Sequence, residues 1–453
     1  MRVGAVVVAA SFFTIATVYA AGAFRRPPTI LISQYELHEP TNSPKPQAFG
    51  TQVALSRDGR TLAISDPWYF GGPEWPWYGS GAVYVFTRTN GAWALQARLE
   101  APNPRGYDDF GSDLSLSGNG DTLAIGAQYE GSDDAEPGTG EGSVFIFHRR
   151  GRTWSAAGYI RSPAPESRAS FGRSVELSAS GKILVVGAPY QSRAVDGVSQ
   201  VEAGAVYVFR QDRGRWSEEA VLRSDAPESF DRFGIGLRLS EDGRTLAVLA
   251  GEQNPGTEDL ETGTWGDRNN TLHVFARRLA IWRLETKIEG LPSEPFFAGS
   301  GYDTLGQSEG FDLSGDGNML AVASPSGVGP DGETGYVTLY RRVLGHWVPS
   351  DAVLAPSLTG RLHFGLRVTL SSDGSMLAAA ANRDEGPYGR PYVVIFQRQG
   401  RNWSEVAALE PGAWPDYTTF GNSIAISRTG KHIAIGSSSY TTDTSFWGAA
   451  FAY

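Results

Sequence analysis

The sequence contains no cysteine, and this absence excludes disulfide bonds, thiol catalysis and cysteine-ligated zinc. Its six histidines stand singly, without the His-x-x-x-His pair that helical zinc sites use. Neither a Gly-x-Ser-x-Gly nucleophile elbow nor a Walker-type phosphate-binding loop occurs. The formal net charge of −10 argues against nucleic acid as a partner. These absences favour a binding protein without catalytic residues, and glycoside cleavage by a carboxylate pair is the remaining enzymatic alternative.

The N-terminus carries an uncharged stretch, Val3 to Phe24, directly after Met1-Arg2. A basic start, an apolar run and the small residues Ala21-Gly22-Ala23 predict a signal peptide over residues 1–23. The stretch is also long enough to span a bilayer, and Arg25-Arg26 follow it immediately, so a retained signal anchor is the alternative. Both interpretations predict an extracytoplasmic protein, either secreted or membrane-anchored.

One sequence unit recurs through the rest of the chain. Its fullest copy begins at Phe171-Gly172, passes a turn at Gly181 and reaches Ala188-Pro189. Successive copies start 56 to 72 residues apart, and seven copies fill the chain, which indicates one repeat architecture rather than a series of domains. The copies begin with Phe-Gly at 49, 110, 171, 233, 364 and 420, and with Leu-Gly at 305.

Each copy divides into four short segments in which apolar and polar residues alternate, as in half-buried strands. In the first copy these segments are Gln52–Ser56, Thr61–Ile64, Gly81–Phe86 and Trp93–Leu99. The fourth segment opens with a tryptophan in each of the first six copies, and we expect this side chain to pack between neighbouring units. These residues are Trp93, Trp154, Trp216, Trp282, Trp347 and Trp403.

The two ends of the chain complement each other. The last copy stops after its third segment, Trp447–Tyr453, and its fourth segment is missing. The stretch Thr29–Leu37, ahead of the first copy, has fourth-segment character. Pairing of these two stretches would close a ring and remove its free sheet edges. We therefore predict an all-β fold over residues 29–453: a seven-bladed β-propeller of four-stranded antiparallel blades, closed by the N-terminal strand in the last blade.

The repeat resembles a known family. The succession Phe-Gly, Leu-Ser-x-Asp-Gly, Gly-Ala-Pro and Gly-Ala-Val-Tyr-Val-Phe, most complete over Phe171–Phe209, is similar to the FG-GAP repeats of the integrin α-subunit N-terminal propeller. The resemblance implies extracellular binding and adhesion. It also implies calcium, because integrin-like blades often carry Asp-x-Asp-x-Asp-Gly loops between their first two strands.

The calcium loops of that family are altered in this sequence. The corresponding turns, such as Ser56-Arg57-Asp58-Gly59 and Ser178-Ala179-Ser180-Gly181, lack three alternating acids. We therefore predict plain hairpin turns, with no metal and no cofactor. Calcium remains an implication of the resemblance alone.

The long connections between second and third strands share one face of a propeller, because its strands alternate in direction. These connections are rich in aromatic residues, and exposed aromatic clusters commonly contact a partner protein or a sugar ring. We predict an extracellular protein partner, with a glycan bound in lectin fashion as the alternative. The predicted ligand-binding residues are Trp68, Tyr69, Trp75, Trp77, Tyr78, Tyr129, Trp265 and Tyr388.

The opposite face carries the turns between third and fourth strands, which are rich in arginine, as at Arg149, Arg150 and Arg152. The N-terminal strand should enter the ring from this face. If the apolar N-terminal segment is retained, the arginine-rich face lies against the bilayer, where each basic residue near anionic lipid contributes about 1 kcal/mol. The sequence thus raises membrane proximity as a hypothesis.

Overall fold

A computed structural model describes residues 35–38, 48–69, 79–131, 138–195, 197–251, 258–259, 264–265, 269–292, 310–328, 334–354, 362–383, 390–411, 419–442 and 445–453. Over these ranges the regular structure consists of β-strands. No helix of a length and hydropathy suited to crossing a membrane is present there.

The first strand, β1 (Tyr35–His38), precedes three blades of four antiparallel strands each. Blade 1 contains β2 (Val53–Leu55), β3 (Thr61–Asp66), β4 (Ala82–Thr89) and β5 (Ala92–Leu99). Blade 2 contains β6 (Phe110–Leu116), β7 (Thr122–Ala127), β8 (Ser143–Arg150) and β9 (Thr153–Arg161). Blade 3 contains β10 (Ser174–Leu177), β11 (Ile183–Ala188), β14 (Ala205–Asp212) and β15 (Arg215–Leu222), with a small hairpin, β12 (Arg193–Val195) and β13 (Val198–Gln200), inserted in its long connection.

The remaining blades repeat this order. Blade 4 contains β16 (Gly236–Leu239), β17 (Thr245–Ala250), β20 (Asn269–Arg278) and β21 (Ile281–Pro292), with an inserted pair, β18 (Glu258–Asp259) and β19 (Thr264–Trp265). Blade 5 contains β22 (Phe311–Leu313), β23 (Met319–Val328), β24 (Thr334–Val343) and β25 (His346–Leu354). Blade 6 contains β26 (Leu362–Leu370), β27 (Met376–Arg383), β28 (Arg390–Gln399) and β29 (Asn402–Leu409). Blade 7 combines β30 (Ser423–Ile426), β31 (Ile433–Thr442) and β32 (Ser445–Ala452) with β1.

The N-terminal strand closes the ring, as predicted. Strand β1 pairs antiparallel with β32, and Leu37 stands opposite Ala450. A Cβ atom on Gly448 would overlap the carbonyl oxygen of Phe49, so only glycine allows blade 7 to approach blade 1 this closely. The predicted seven-bladed, four-stranded all-β fold is therefore confirmed. The two inserted strand pairs were not predicted.

The core lies between neighbouring blades rather than inside each blade. The phenylalanines of the Phe-Gly pairs are buried, and Phe171 meets the ring of Tyr207 edge-on with centroids 5.5 Å apart. Trp154 and Trp282 are each 9% exposed. All six predicted tryptophans pack against clusters drawn from two adjacent blades, which confirms their predicted position. Burial of aromatic side chains at each junction stabilises the closed ring.

Candidate functional site

The molecule has two faces. The long-loop face comprises the connections from second to third strands and from each fourth strand to the next blade, and the hairpin face comprises the turns between first and second and between third and fourth strands. First strands of neighbouring blades contact one another and line the central channel. These three regions hold the candidate sites.

The predicted ligand-binding residues have different positions on the long-loop face. Trp68 is 38% exposed, and Tyr129 is half-buried. Tyr69 is 8% exposed and belongs to the core between blades 7 and 1, with the Arg98 guanidinium 4.9 Å above its ring. We exclude Tyr69 from the contact surface for this reason. Trp75, Trp77, Tyr78 and Tyr388 lie outside the described residues, as does the side chain of Trp265.

An aromatic residue occupies the same position in the long connection of three successive blades. Trp68, Tyr129 and Tyr190 each stand two residues beyond the end of the second strand, in blades 1, 2 and 3. We call this set the aromatic arc. The backbone N–H of Tyr129 donates to the carbonyl of Asp108 at 3.4 Å, which ties the arc to the preceding inter-blade loop. Tyr190 was missed in the sequence, although alignment of the repeats places it in the column of Tyr129.

Arginine side chains cover aromatic rings on this face. The Arg232 guanidinium lies 5.1 Å from the ring centroid of Tyr190 and 2.9 Å from the carboxylate of Glu202. Such stacking contributes about 0.5–1 kcal/mol at exposed sites. The Tyr190 ring is thus held between the protein and a paired guanidinium.

A second polar cluster lies at the rim of blade 2. Tyr159 is 47% exposed, and its hydroxyl donates to Glu130 at 2.8 Å. The Arg161 guanidinium lies 5.3 Å from the Tyr159 ring centroid. Partial burial and the hydrogen bond to Glu130 raise the pKa of Tyr159, so this hydroxyl remains a hydrogen-bond donor at neutral pH.

The loops entering blades 2, 3 and 4 hold non-glycine residues in left-handed backbone conformations. Asp109 has φ 59°, and Arg232 has φ 47°. Conformations of this kind are unfavourable for residues other than glycine and tend to occur at functional sites. The full set is Tyr107, Asp109, Arg168, Ser170, Phe230 and Arg232.

A chain of polar contacts runs along the channel-lining strands of blades 2 to 6. Arg238 lies 3.5 Å from Glu176 and 3.1 Å from Asp312, on either side. Ser115 donates to Glu176 at 3.2 Å, and Thr369 donates to Asp312 at 3.0 Å. Burial raises the pKa of Asp312, and Arg238 opposes this rise. Each carboxylate therefore binds a neighbouring blade.

Backbone contacts encircle the channel mouth on the hairpin face, and one pair of side chains crosses it. One turn from each blade contributes to a circle of seven inter-blade N–H···O=C bonds of 2.9 to 3.2 Å, which begins at Arg57 and returns to it from Arg428. Arg57 of blade 1 also forms a two-point ion pair with Glu241 of blade 4. A Cβ on Gly118 would crowd Arg57, and one on Gly315 would crowd Glu241. The pair borders an open cavity of about 580 Å³.

The acids of the turns between first and second strands stabilise the turns. Ser56 Oγ donates to Asp58 Oδ1 at 2.6 Å, and Asp58 Oδ1 accepts the N–H of Arg60 at 3.0 Å. Asp242 and Asp316 make the same two contacts in blades 4 and 5. In the described part of the chain, no group of three or more His, Asp or Glu side chains is arranged to hold a metal ion.

The arginines of the hairpin face have two different environments. Arg149 pairs with Asp121 at 2.8 Å, and Arg277 and Arg342 pair with Glu219 and Glu285 of the preceding blade. These three side chains are only 13 to 18% exposed. The remaining exposed arginines give the face its positive charge. They are Arg150, Arg152, Arg213, Arg215, Arg278 and Arg401 in the turns between third and fourth strands, and Arg60, Arg244 and Arg428 in the turns between first and second strands.

The fold and its inter-blade repeats define a closed seven-bladed β-propeller with loop-borne aromatic residues on one face. A model of the FG-GAP repeat matches residues 93–147. The chain is thus a β-propeller that contains a segment similar to the FG-GAP repeat, and a propeller with this repeat suggests a binding module.

Solved structures share the fold at low sequence identity. The WD40 repeats of RRP9 match with a TM-score of 0.53 and 9% identity, over 94% of this chain and 98% of that chain. A Kuenenia stuttgartiensis hydrazine synthase structure matches with a TM-score of 0.50 and 13% identity, over 88% of this chain and 95% of that chain. Likeness at these identities shows the fold alone. A comparison with curated protein sequences finds no match.

Proposed function

We propose that this chain is an exported, non-catalytic binding and adhesion module that holds an extracellular protein partner on its long-loop face. The aromatic arc carries this proposal, because Trp68, Tyr129 and Tyr190 recur at one loop position in three successive blades. Aromatic and arginine side chains dominate the energetic centres of protein interfaces. The left-handed loop residues beside the arc support the same assignment.

A protein partner fits this face better than a sugar. A lectin stacks sugar rings on open aromatic faces. On the long-loop face, guanidinium groups already lie over the rings of Tyr190 and Tyr159. A surface of stacked tyrosines, arginines and carboxylates offers hydrogen bonds in many directions, which suits a polypeptide.

A catalytic role for the channel acids has less support. Glycoside hydrolases use two carboxyl groups about 5–10 Å apart that both reach the substrate. Glu176 and Asp312 instead share Arg238 and accept bonds from adjacent blades. We assign this network to the cohesion of the ring.

Site-specific photo-crosslinking tests the proposed surface. A benzophenone amino acid at Tyr129 should give a defined protein adduct from the outer-surface extract of the native host. The same group at Asn90, a hairpin-face turn, is the matched control and should not give that adduct. Trp68→Ala combined with Tyr190→Ala should weaken capture at Tyr129 by about tenfold or more, as expected for the loss of central aromatic contacts.

Three outcomes would contradict the proposal. Equal adducts from Tyr129 and Asn90 would remove the long-loop face as the site. Capture that is insensitive to the two alanine substitutions would remove the aromatic arc. Binding to a glycan array, retained on protease-treated host surfaces, would establish the lectin alternative instead.

A further inference from the structure

Two neighbouring blades end their outer hairpins in aliphatic residues. The turn between β20 and β21 in blade 4 contains Leu279, which is 98% exposed. The turn between β24 and β25 in blade 5 contains Leu344, which is 96% exposed. Ile281 and Val343 beside them are 56% and 50% exposed. Adjacent blades therefore present two protruding apolar tips on the hairpin face.

The backbone at these tips is unfavourable for leucine. Leu279 and Leu344 have φ values of 51° and 53°, in the left-handed region. The same turn position is Asn90 in blade 1, a residue type suited to that conformation. Because the two leucines are almost wholly in solvent, packing within the chain does not compensate for the strained backbone. Exposed apolar residues at such a position indicate a contact outside the chain.

The turns between third and fourth strands, to which both tips belong, are predominantly basic. The hairpin ends 87–92, 148–153, 210–215, 276–281, 341–346 and 397–402 contain one acid, Asp212, among many arginines. Arg278, next to Leu279, has a side chain that is 80% exposed and lies at the 4.0 Å limit of contact with Glu285. This charge complements an anionic surface.

The N-terminal strand joins the ring on the same side. Tyr35 stands opposite Ala452, at the end of β32 that leads to the hairpin face. Strand β1 therefore begins at the hairpin face. The sequence ahead of it contains the uncharged stretch Val3 to Phe24 and Arg25-Arg26. If that stretch is retained as a signal anchor, the hairpin face is the side turned to the membrane.

We propose that the two tips dock the hairpin face onto an anionic lipid bilayer, with Leu279 and Leu344 among the acyl chains and Arg278 at the headgroups. Two separate apolar tips surrounded by arginine suit an anionic bilayer, because its acyl chains accept apolar side chains and its headgroups attract basic ones. A protein interface would require about 800 Å² of continuous complementary surface with an aromatic centre. Docking in this way turns the long-loop face away from the membrane. The lipid-docking proposal does not depend on the protein partner proposed for the long-loop face.

The absence of cysteine makes a direct test simple. Ala280→Cys and Gly345→Cys place a single thiol beside each leucine, and a nitrobenzoxadiazole label on it reports insertion depth. Gly91→Cys in blade 1 is the matched control, because Gly345 and Gly91 hold equivalent turn positions with open space around them. Full-length protein is mixed with phosphatidylcholine–phosphatidylglycerol vesicles or with phosphatidylcholine alone. Labels at 280 and 345 should shift to the blue and be quenched by nitroxide lipids on anionic vesicles, whereas the label at 91 should not.

Substitutions then separate the apolar and charged contributions. Leu344→Ser in the Gly345→Cys chain should reduce the quenching response about tenfold, as expected for loss of a buried leucine. Arg278→Gln should reduce it about fivefold on anionic vesicles, the effect of one basic residue near the surface. The proposal is overturned if the labels at 280 and 345 do not respond, or if the label at 91 responds equally. The proposal is also overturned if the labels at 280 and 345 respond to host surface proteins and not to vesicles.

Discussion

Among single residues, His273 stands out as a titratable group placed in an aromatic core column. It lies on β20, where blades 1, 2 and 3 have Tyr84, Phe145 and Tyr207. Its ring meets Phe233 edge-on, with centroids 5.1 Å apart, and the residue is 3% exposed. Burial, assisted by Lys287, lowers the pKa of His273 to about 4 from its ordinary value of 6.5. The neutral imidazole therefore replaces a phenyl ring in this core.

This burial predicts an acid-sensitive stability. Between pH 6.5 and about 4 the unfolded chain binds one more proton at His273 than the folded chain does, so the free energy of unfolding falls as pH decreases. The expected loss is roughly 3 kcal/mol over that window. His273→Phe should remove most of this dependence in urea unfolding measured near pH 7 and near pH 4.5. The exposed His346→Asn is the control and should keep the wild-type dependence, and an unchanged dependence in His273→Phe would contradict the assignment.

Among single residues, those that recur at the same position of each repeat were predictable from sequence. Residues that occur in only some blades were not. The buried phenylalanines and the tryptophan column follow from regular spacing, which reports a shared environment. Tyr190 lay in the same alignment but was overlooked, because the first connection is denser in aromatics. Leu279 and Leu344 were not predicted, because arginine is the dominant feature of their turns in sequence. Their significance depends on exposure and backbone conformation, which spacing does not reveal.

Among the strands, the short strand β1 is the one that closes the ring. Its four residues complete blade 7, and Leu37 within it is 7% exposed in the core shared with blade 1. Ring closure by the termini was predictable from sequence because the last repeat lacked its fourth segment. The inserted pairs β12–β13 and β18–β19 were not, since the long connections differ from blade to blade and share no pattern.

Removal of β1 should therefore open the ring. A chain beginning at residue 48 exposes the edge of β32 and loses the burial of Leu37, which alone contributes about 2–3 kcal/mol. We expect its Tm to fall by roughly 5 °C or more, with aggregation, relative to a chain beginning at residue 29. A synthetic peptide of residues 29–40 should restore the Tm of the shorter chain. Identical Tm values for the two chains would show that the strand does not hold the ring closed.

Across the whole molecule, blades that are distant in sequence are coupled through the channel. The Ser115–Glu176–Arg238–Asp312–Thr369 network links five blades side by side. The pair of Arg57 and Glu241 joins blade 1 directly to blade 4 at the channel mouth. The side chains of Arg57 and Glu241 are 34% and 24% exposed, so the pair is only partly screened by solvent.

A double-mutant cycle measures this connection. Arg57→Ala and Glu241→Ala should show a coupling free energy of about 1 kcal/mol in urea unfolding, because a two-point guanidinium–carboxylate contact is stronger than an ordinary surface pair. The coupling should decrease at high salt, as expected for a partly exposed ion pair. Arg57→Ala combined with Glu285→Ala is the control, since Glu285 pairs with Arg342 instead, and these effects should add. Additive effects in the first cycle would mean that the ring is held by its neighbouring-blade contacts alone, without a bond across the channel mouth.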